Sequence, residues 1–107
     1  MRTGYVYMRG ELAGELVEIS RKEYVFRYTD DYFQDITKPA ISLTLPKTKQ
    51  EYRSEYLFPF FFNMLSEGNN RLMQARLLRM DEHDHFGILL ATAGDDVTGA
   101  VTVKIEK

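Results

Sequence analysis

The sequence predicts an α+β domain: a curled antiparallel sheet, or a small barrel, of about five to six strands, with three short helices inserted before the last strand. Three observations carry this prediction. Segments near the start, the middle and the end alternate apolar and polar residues with a period of two, the signature of strands with one buried and one wet face, which favours antiparallel pairing. Between the later strand segments, residues 57–92 change to helical spacing broken by glycine. No linker, repeat or low-complexity tract divides the 107 residues, which suffice for one hydrophobic core, so residues 1–107 are expected to form one domain.

The elements follow in order. Residues 5–8 and 12–19 read as a first hairpin that turns at Arg9-Gly10, where glycine can supply a positive φ. Tyr24, Phe26 and Tyr28 share one face of the next strand, with Val25 and Arg27 on the other. Ile41, Leu43 and Leu45 oppose Ser42 and Thr44 in a further strand. Residues 46–54 are the wettest stretch and read as a loop, a place for disorder. Pro59 stands near the start of a helix over residues 57–65, where a missing N–H costs least. That helix is apolar almost all round and is expected to be buried. Glu67-Gly68 breaks it. A second helix over residues 70–80 turns Met73, Leu77 and Met80 inward and Arg71, Arg76 and Arg79 outward. A third runs from Asp84 to Thr92, with Asp84 as its N-cap and Gly94 beyond its end. Val101, Val103 and Ile105 alternate with Thr102, Lys104 and Glu106 in the closing strand.

Composition narrows function. Fourteen basic against sixteen acidic side chains give a net charge of −2, against the basic excess of a dedicated nucleic-acid binder. No cysteine is present, which removes disulfides, thiolate metal sites and cysteine nucleophiles. The first residues contain no apolar signal-peptide core, and the apolar cluster at residues 56–62 is too short to span a bilayer, so a cytoplasmic protein is expected.

Several patterns imitate active sites. Gly94 and Gly99 have phosphate-loop spacing but lack the following Lys-Ser/Thr, and a turn into the last strand explains them. Asp84-His85-Phe86-Gly87 is similar to a kinase Asp-Phe-Gly, but His85 spoils the spacing, and there is neither a glycine-rich nucleotide loop nor a His-Arg-Asp loop. Glu82, His83, Asp84 and His85 are adjacent potential ligands with no second set elsewhere, and helix capping by Asp84 accounts for them more simply. Ser20, Ser42, Ser54 and Ser66 have no activating context. The reading of the residues is therefore a non-enzymatic domain with no catalytic residue, cofactor or metal site. Seven Tyr and seven Phe mostly fall at core-facing spacing, with Tyr5, Tyr7, Tyr24 and Tyr28 as candidates for a contact patch on adjacent strands.

The order of short motifs resembles the N-terminal subdomain of HipA-type serine/threonine kinases. It comprises Gly14-Glu15-Leu16, then Phe26-Arg27-Tyr28 with Tyr32 nearby, then Pro39-Ala40-Ile41-Ser42-Leu43-Thr44-Leu45-Pro46. It continues with Phe61-Phe62-Asn63-Met64-Leu65-Ser66-Glu67-Gly68, then Phe86-Gly87-Ile88-Leu89-Leu90, Gly94-Asp95 and Gly99-Ala100-Val101. The resemblance implies a domain that packs on a kinase N-lobe. No kinase sequence follows Lys107, which is similar to split systems in which a small HipS-like antitoxin restrains a HipT-like kinase encoded beside it, with a helix-turn-helix repressor as a third component. On that resemblance the expected partner is a HipA/HipT-type kinase, and the expected contact residues are Met64, Leu65, Ser66, Glu67, Gly68, Asn69, Asn70 and Arg71. Asn69 departs from the pattern, since the family often carries a bulky aromatic there. Two alternatives therefore stand beside the antitoxin: a structural subunit that completes a split kinase without inhibiting it, and a nucleic-acid or ligand-binding domain.

Overall fold

The computed structural model describes residues 1–65, 81, 83–92 and 100–105. Its elements are β1 (Arg2–Met8), β2 (Glu11–Ser20), β3 (Glu23–Tyr28), α1 (Asp30–Gln34), β4 (Glu51–Ser54), α2 (Pro59–Phe62), α3 (His85–Thr92) and β5 (Val101–Lys104). The strands form one antiparallel sheet in the order β4-β3-β2-β1-β5. The α+β class and the antiparallel sheet stand as the sequence predicts.

The predicted hairpin forms with a two-residue turn. Both Arg9 (φ 51°) and Gly10 (φ 82°) lie in the left-handed region, the combination that matches the natural twist of a tight hairpin. A bulge between Val6 and Tyr7 sets the register, which puts Gly14 opposite both Val6 and Tyr28. A Cβ at Gly14 would lie 2.6 Å from the Arg27 carbonyl oxygen and 2.8 Å from the Phe26 ring, so the strands can approach only because that position is bare.

Strand pairing aligns side chains in rows across the sheet. Gly4, Leu16 and Phe26 form one row, and Val6, Gly14, Tyr28 and Val103 the next. This face is the core. Phe58 and Phe61 around α2, Leu57, Leu65, and Phe86, Ile88 and Leu89 of α3 cover it, all nearly inaccessible. Tyr5, Tyr7, Glu15, Arg27 and Lys104 align on the opposite, wetter face. The proposed tyrosine patch therefore divides: Tyr24 and Tyr28 belong to the core face, Tyr5 and Tyr7 to the other.

Five expectations are corrected. The sheet is open: β4 and β5 are its two edges, so neither a barrel nor closure by the last strand occurs among the described residues. Helices cover the apolar face that a barrel would have buried against itself. Residues 41–45 are not a strand. Ile41 and Leu45 are buried, but a turn from Ser42 to Leu45 leaves Leu43 wholly exposed. Within the wet stretch 46–54, residues 51–54 form β4, with Tyr52 opposite Phe26. The helix expected over 57–65 is shortened to Pro59–Phe62, and only Phe61 within it is buried. Ile105, expected in the last strand, lies just beyond it and is exposed. The helix over 70–80 and the glycines at 94 and 99 fall outside the described residues.

Helix α1 was not foreseen. Thr29 caps it, its hydroxyl accepting from the Tyr32 amide at 3.3 Å, and Asp30 and Asp31 favour the positive end of the helix dipole. The third helix begins as expected: Asp84 Oδ1 accepts from the Gly87 amide at 3.2 Å. No described helix is long and apolar enough to cross a membrane.

Candidate partner-docking surface

The polar end of the core face follows directly from register. Arg2, Glu18 and Tyr24 lie side by side on β1, β2 and β3, one row beyond the apolar rows. The first turn of α3 packs over this row and brings Asp84 to Arg2. The guanidinium donates to both Asp84 oxygens, at 2.9 and 2.8 Å, and its Nε donates to Glu18 at 2.8 Å. The Tyr24 hydroxyl donates to the other Glu18 oxygen at 3.1 Å, and Arg2 lies 5.3 Å from the Phe86 ring centre.

The electrostatics agree with that geometry. Hydrogen bonding to Arg2 holds the Asp84 carboxyl below the usual range, helped by the Gly87 amide and opposed by partial burial. The Asp84 and Glu18 carboxylates raise Arg2 further above its already high value, Asp84 contributing most. Burial, and then Glu18, raise the Tyr24 phenol. Both Asp84 oxygens are occupied by bidentate pairing and helix capping, so this constellation clamps β1 to α3 and leaves no free base. Arg21, Asp81, His83 and His85 complete the lining of a cleft of about 510 Å³ over it. Among the described residues no group of three His, Asp or Glu side chains is placed to hold a metal. The hydroxyls of Ser20, Ser42 and Ser54 accept from backbone amides two residues ahead, as turn residues do.

A second cleft of about 350 Å³ shares Arg21, Tyr24, His83 and His85 and adds Glu55, Tyr56, Leu57 and Phe62. Tyr56 is largely exposed, and Phe62 meets the His85 ring edge-on at 4.9 Å. Of the contact residues expected from sequence, Leu65 is buried and Met64 packs against the core just past this surface. Ser66, Glu67, Gly68, Asn69, Asn70 and Arg71 lie outside the described residues.

The segment between α1 and β4 is irregular but tied down. The buried Tyr28 hydroxyl donates to the Leu45 carbonyl at 2.5 Å and accepts from the Ile41 amide at 3.1 Å, and burial pushes its phenol up to about 12. Tyr32 donates to the Pro39 carbonyl at 2.6 Å, and Tyr52 to that of Pro46 at 2.5 Å. The Lys47 ammonium binds the carbonyls of Asp35 and Lys38 at 2.6 and 3.0 Å. The Thr37 hydroxyl and amide hold the Asp35 carboxyl below its ordinary range. From this fastened loop Ile36 and Leu43 project, 96% and 100% exposed. Sequence reasoning missed both as surface residues, because period-two alternation assigned Leu43 to a buried row.

What these features define is a small α+β domain with a clamped sheet, an aromatic core and exposed apolar side chains on fixed backbone. The chain belongs to the HipA N-terminal domain family, whose profile matches residues 4–104. An uncharacterized protein of Haemophilus influenzae (strain Rd) is 36% identical over 107 residues, covering all of this chain and 95% of that protein. Two Sinorhizobium fredii proteins, named "Putative kinase Y4mE" and "Putative kinase Y4dM", are 28% and 31% identical over 90% and 92% of this chain. The chain spans only about a quarter of their length, 23% and 25%. A solved structure described as the N-terminal domain of HipA toxin superimposes with a TM-score of 0.73 at 31% identity, covering 100% of this chain and 94% of that one.

Proposed function

We propose that this domain performs no reaction of its own, and that it docks in the cytoplasm on a separately encoded HipA-type serine/threonine kinase and restrains it as an antitoxin. The observation that carries the reading is the pair of relationships above. The same domain recurs as about a quarter of proteins named as kinases, and also as nearly the whole of the H. influenzae relative. A domain that is one part of a larger chain in some proteins and almost all of the chain in another is suited to act in trans. The cleft lined by Tyr56 and Phe62 is one contact we assign to the kinase, and the sequence from Met64 to Arg71 is the other. A helix-turn-helix repressor would join the assembly through the kinase.

The test is growth on co-expression with the HipA-type kinase of the same genome. Restored growth together with a stable complex supports restraint, and toxicity that persists despite a stable complex refutes it. Asn69, where the family resemblance leads one to expect a bulky aromatic, favours a second reading in which the domain completes the kinase without blocking it. Autophosphorylation separates the two: suppression by the added domain supports the first, and activation or indifference the second.

A further inference from the structure

We infer that the loop over residues 36–49 is a preformed docking element, with Leu43 as an anchor that enters an apolar pocket bordered by acidic side chains on the partner polypeptide. The inference rests on the kinase-docking reading above and names the surface and chemistry it would use.

The tip of a turn ordinarily carries Gly, Pro, Asn, Asp or Ser. Here the Leu45 amide donates to the Ser42 carbonyl at 3.1 Å, and the Ser42 hydroxyl accepts from the Thr44 amide at 3.1 Å, so Leu43 stands at the corner of the turn. Its neighbours Ile41 and Leu45 are 5% and 2% exposed, and Leu43 itself is 100% exposed. The turn is not loose: the Tyr28 hydroxyl bridges the Ile41 amide to the Leu45 carbonyl beneath it. An apolar side chain held in water by a backbone already ordered loses little entropy on entering a pocket, which is the economy that preorganised binding elements exploit. A second aliphatic residue, Ile36, projects from the same loop.

Charge indicates the kind of surface that receives it. The chain carries a net charge of −2, yet residues 36–49 contain three lysines and no acidic side chain. Lys38 pairs with Glu11 and Asp35, and Lys47 is enclosed by carbonyls. Lys49 is exposed, lies 4.7 Å from the Tyr52 ring centre and makes no ion pair among the described residues. A free lysine carried by the same loop as an aliphatic anchor complements an apolar pocket with an acidic rim, and the rim charges would steer the encounter. A lipid surface would also attract lysine, but two aliphatic side chains on an otherwise acidic chain make a slight membrane anchor.

The experiment compares the whole chain with its Leu43→Asp and Lys49→Glu variants. Affinity for the co-purified HipA-type kinase is read by calorimetry at low and high salt, and the unfolding midpoint of each variant is measured. Leu43→Asp is expected to weaken binding at least tenfold with an unchanged midpoint, because Leu43 touches no core. Lys49→Glu is expected to weaken binding at low salt and so flatten the salt dependence of the affinity. Unchanged affinity of Leu43→Asp, alongside a wild-type complex, overturns the anchor and leaves the kinase reading standing. A wild-type chain that does not bind the kinase overturns both. Co-sedimentation with anionic phosphatidylserine vesicles that Leu43→Asp abolishes, with kinase affinity intact, overturns the protein-pocket assignment in favour of a membrane surface.

Discussion

Two side chains, Tyr28 and Arg2, each fasten segments that are distant in sequence. The phenol of Tyr28 satisfies one amide and one carbonyl of a loop that has no ladder to satisfy them. Replacing it with Phe leaves both buried groups unpaired, and Tyr28→Phe is expected to cost about 1–3 kcal/mol, read as a lower urea midpoint. Arg2 does the corresponding work between β1 and α3. Asp84→Asn keeps a capping oxygen and removes the charge, so it isolates the ion pair. Because the pair is partly solvated, the expected loss is about 0.5–1.5 kcal/mol and shrinks with salt. The pH dependence has a definite sign. The folded-state pKa of Asp84 is depressed, so its contribution is complete above the ordinary carboxylate range and is lost as pH falls through that range to the lower folded value. Acid titration of wild type should show this loss of stability, and Asp84→Asn should flatten it.

Among the elements, Gly14 and Gly10 of the first hairpin are required for different reasons. Gly14→Ala puts a methyl against a carbonyl oxygen and a ring within the sheet, with an expected cost of about 1–3 kcal/mol. Gly10→Ala meets nothing within 4 Å, and its cost of about 1 kcal/mol comes from φ +82° alone. Equilibrium unfolding of both variants separates the two causes. This hairpin was legible because Arg9-Gly10 sits between alternating runs, and α3 because Asp84 precedes an apolar block. The segment 41–45 was misread for a physical reason: a turn closed by Ser42 breaks the alternation, so Leu43 faces water while Ile41 and Leu45 face the core. Helix α1 could have been found from Thr29-Asp30-Asp31, a cap followed by two acids, but its five residues are too few to show helical periodicity. β4 was hidden because its outward residues, Glu51 and Arg53, made the stretch look like solvent-filled loop, and Tyr52 alone marks its inward side.

At the scale of the whole molecule, the clamp that ties β1 to α3 lay beyond sequence reading. It joins positions far apart, and only strand register brings Arg2, Glu18 and Tyr24 into one row. Motif order, through the family resemblance, led to the expectation of a kinase partner, but the docking residues proposed for it depend on which apolar side chains the fold leaves outside, and composition does not contain that. One expectation belongs at this scale: the domain mixed with its kinase should elute as a single complex, while alone it should leave standard kinase substrates unphosphorylated; turnover by the isolated chain would refute the docking reading. The sheet order itself has a kinetic consequence. Tyr5 pairs with Lys104, so the first strand lies in the sheet's interior and stays half-paired until the last one has been synthesised. The sheet can therefore be completed only after residues 101–104 have left the ribosome, and a nascent or prematurely terminated chain that lacks them would present the bare backbone of residues 5–8 to its neighbours, making it a natural client of chaperones and proteases.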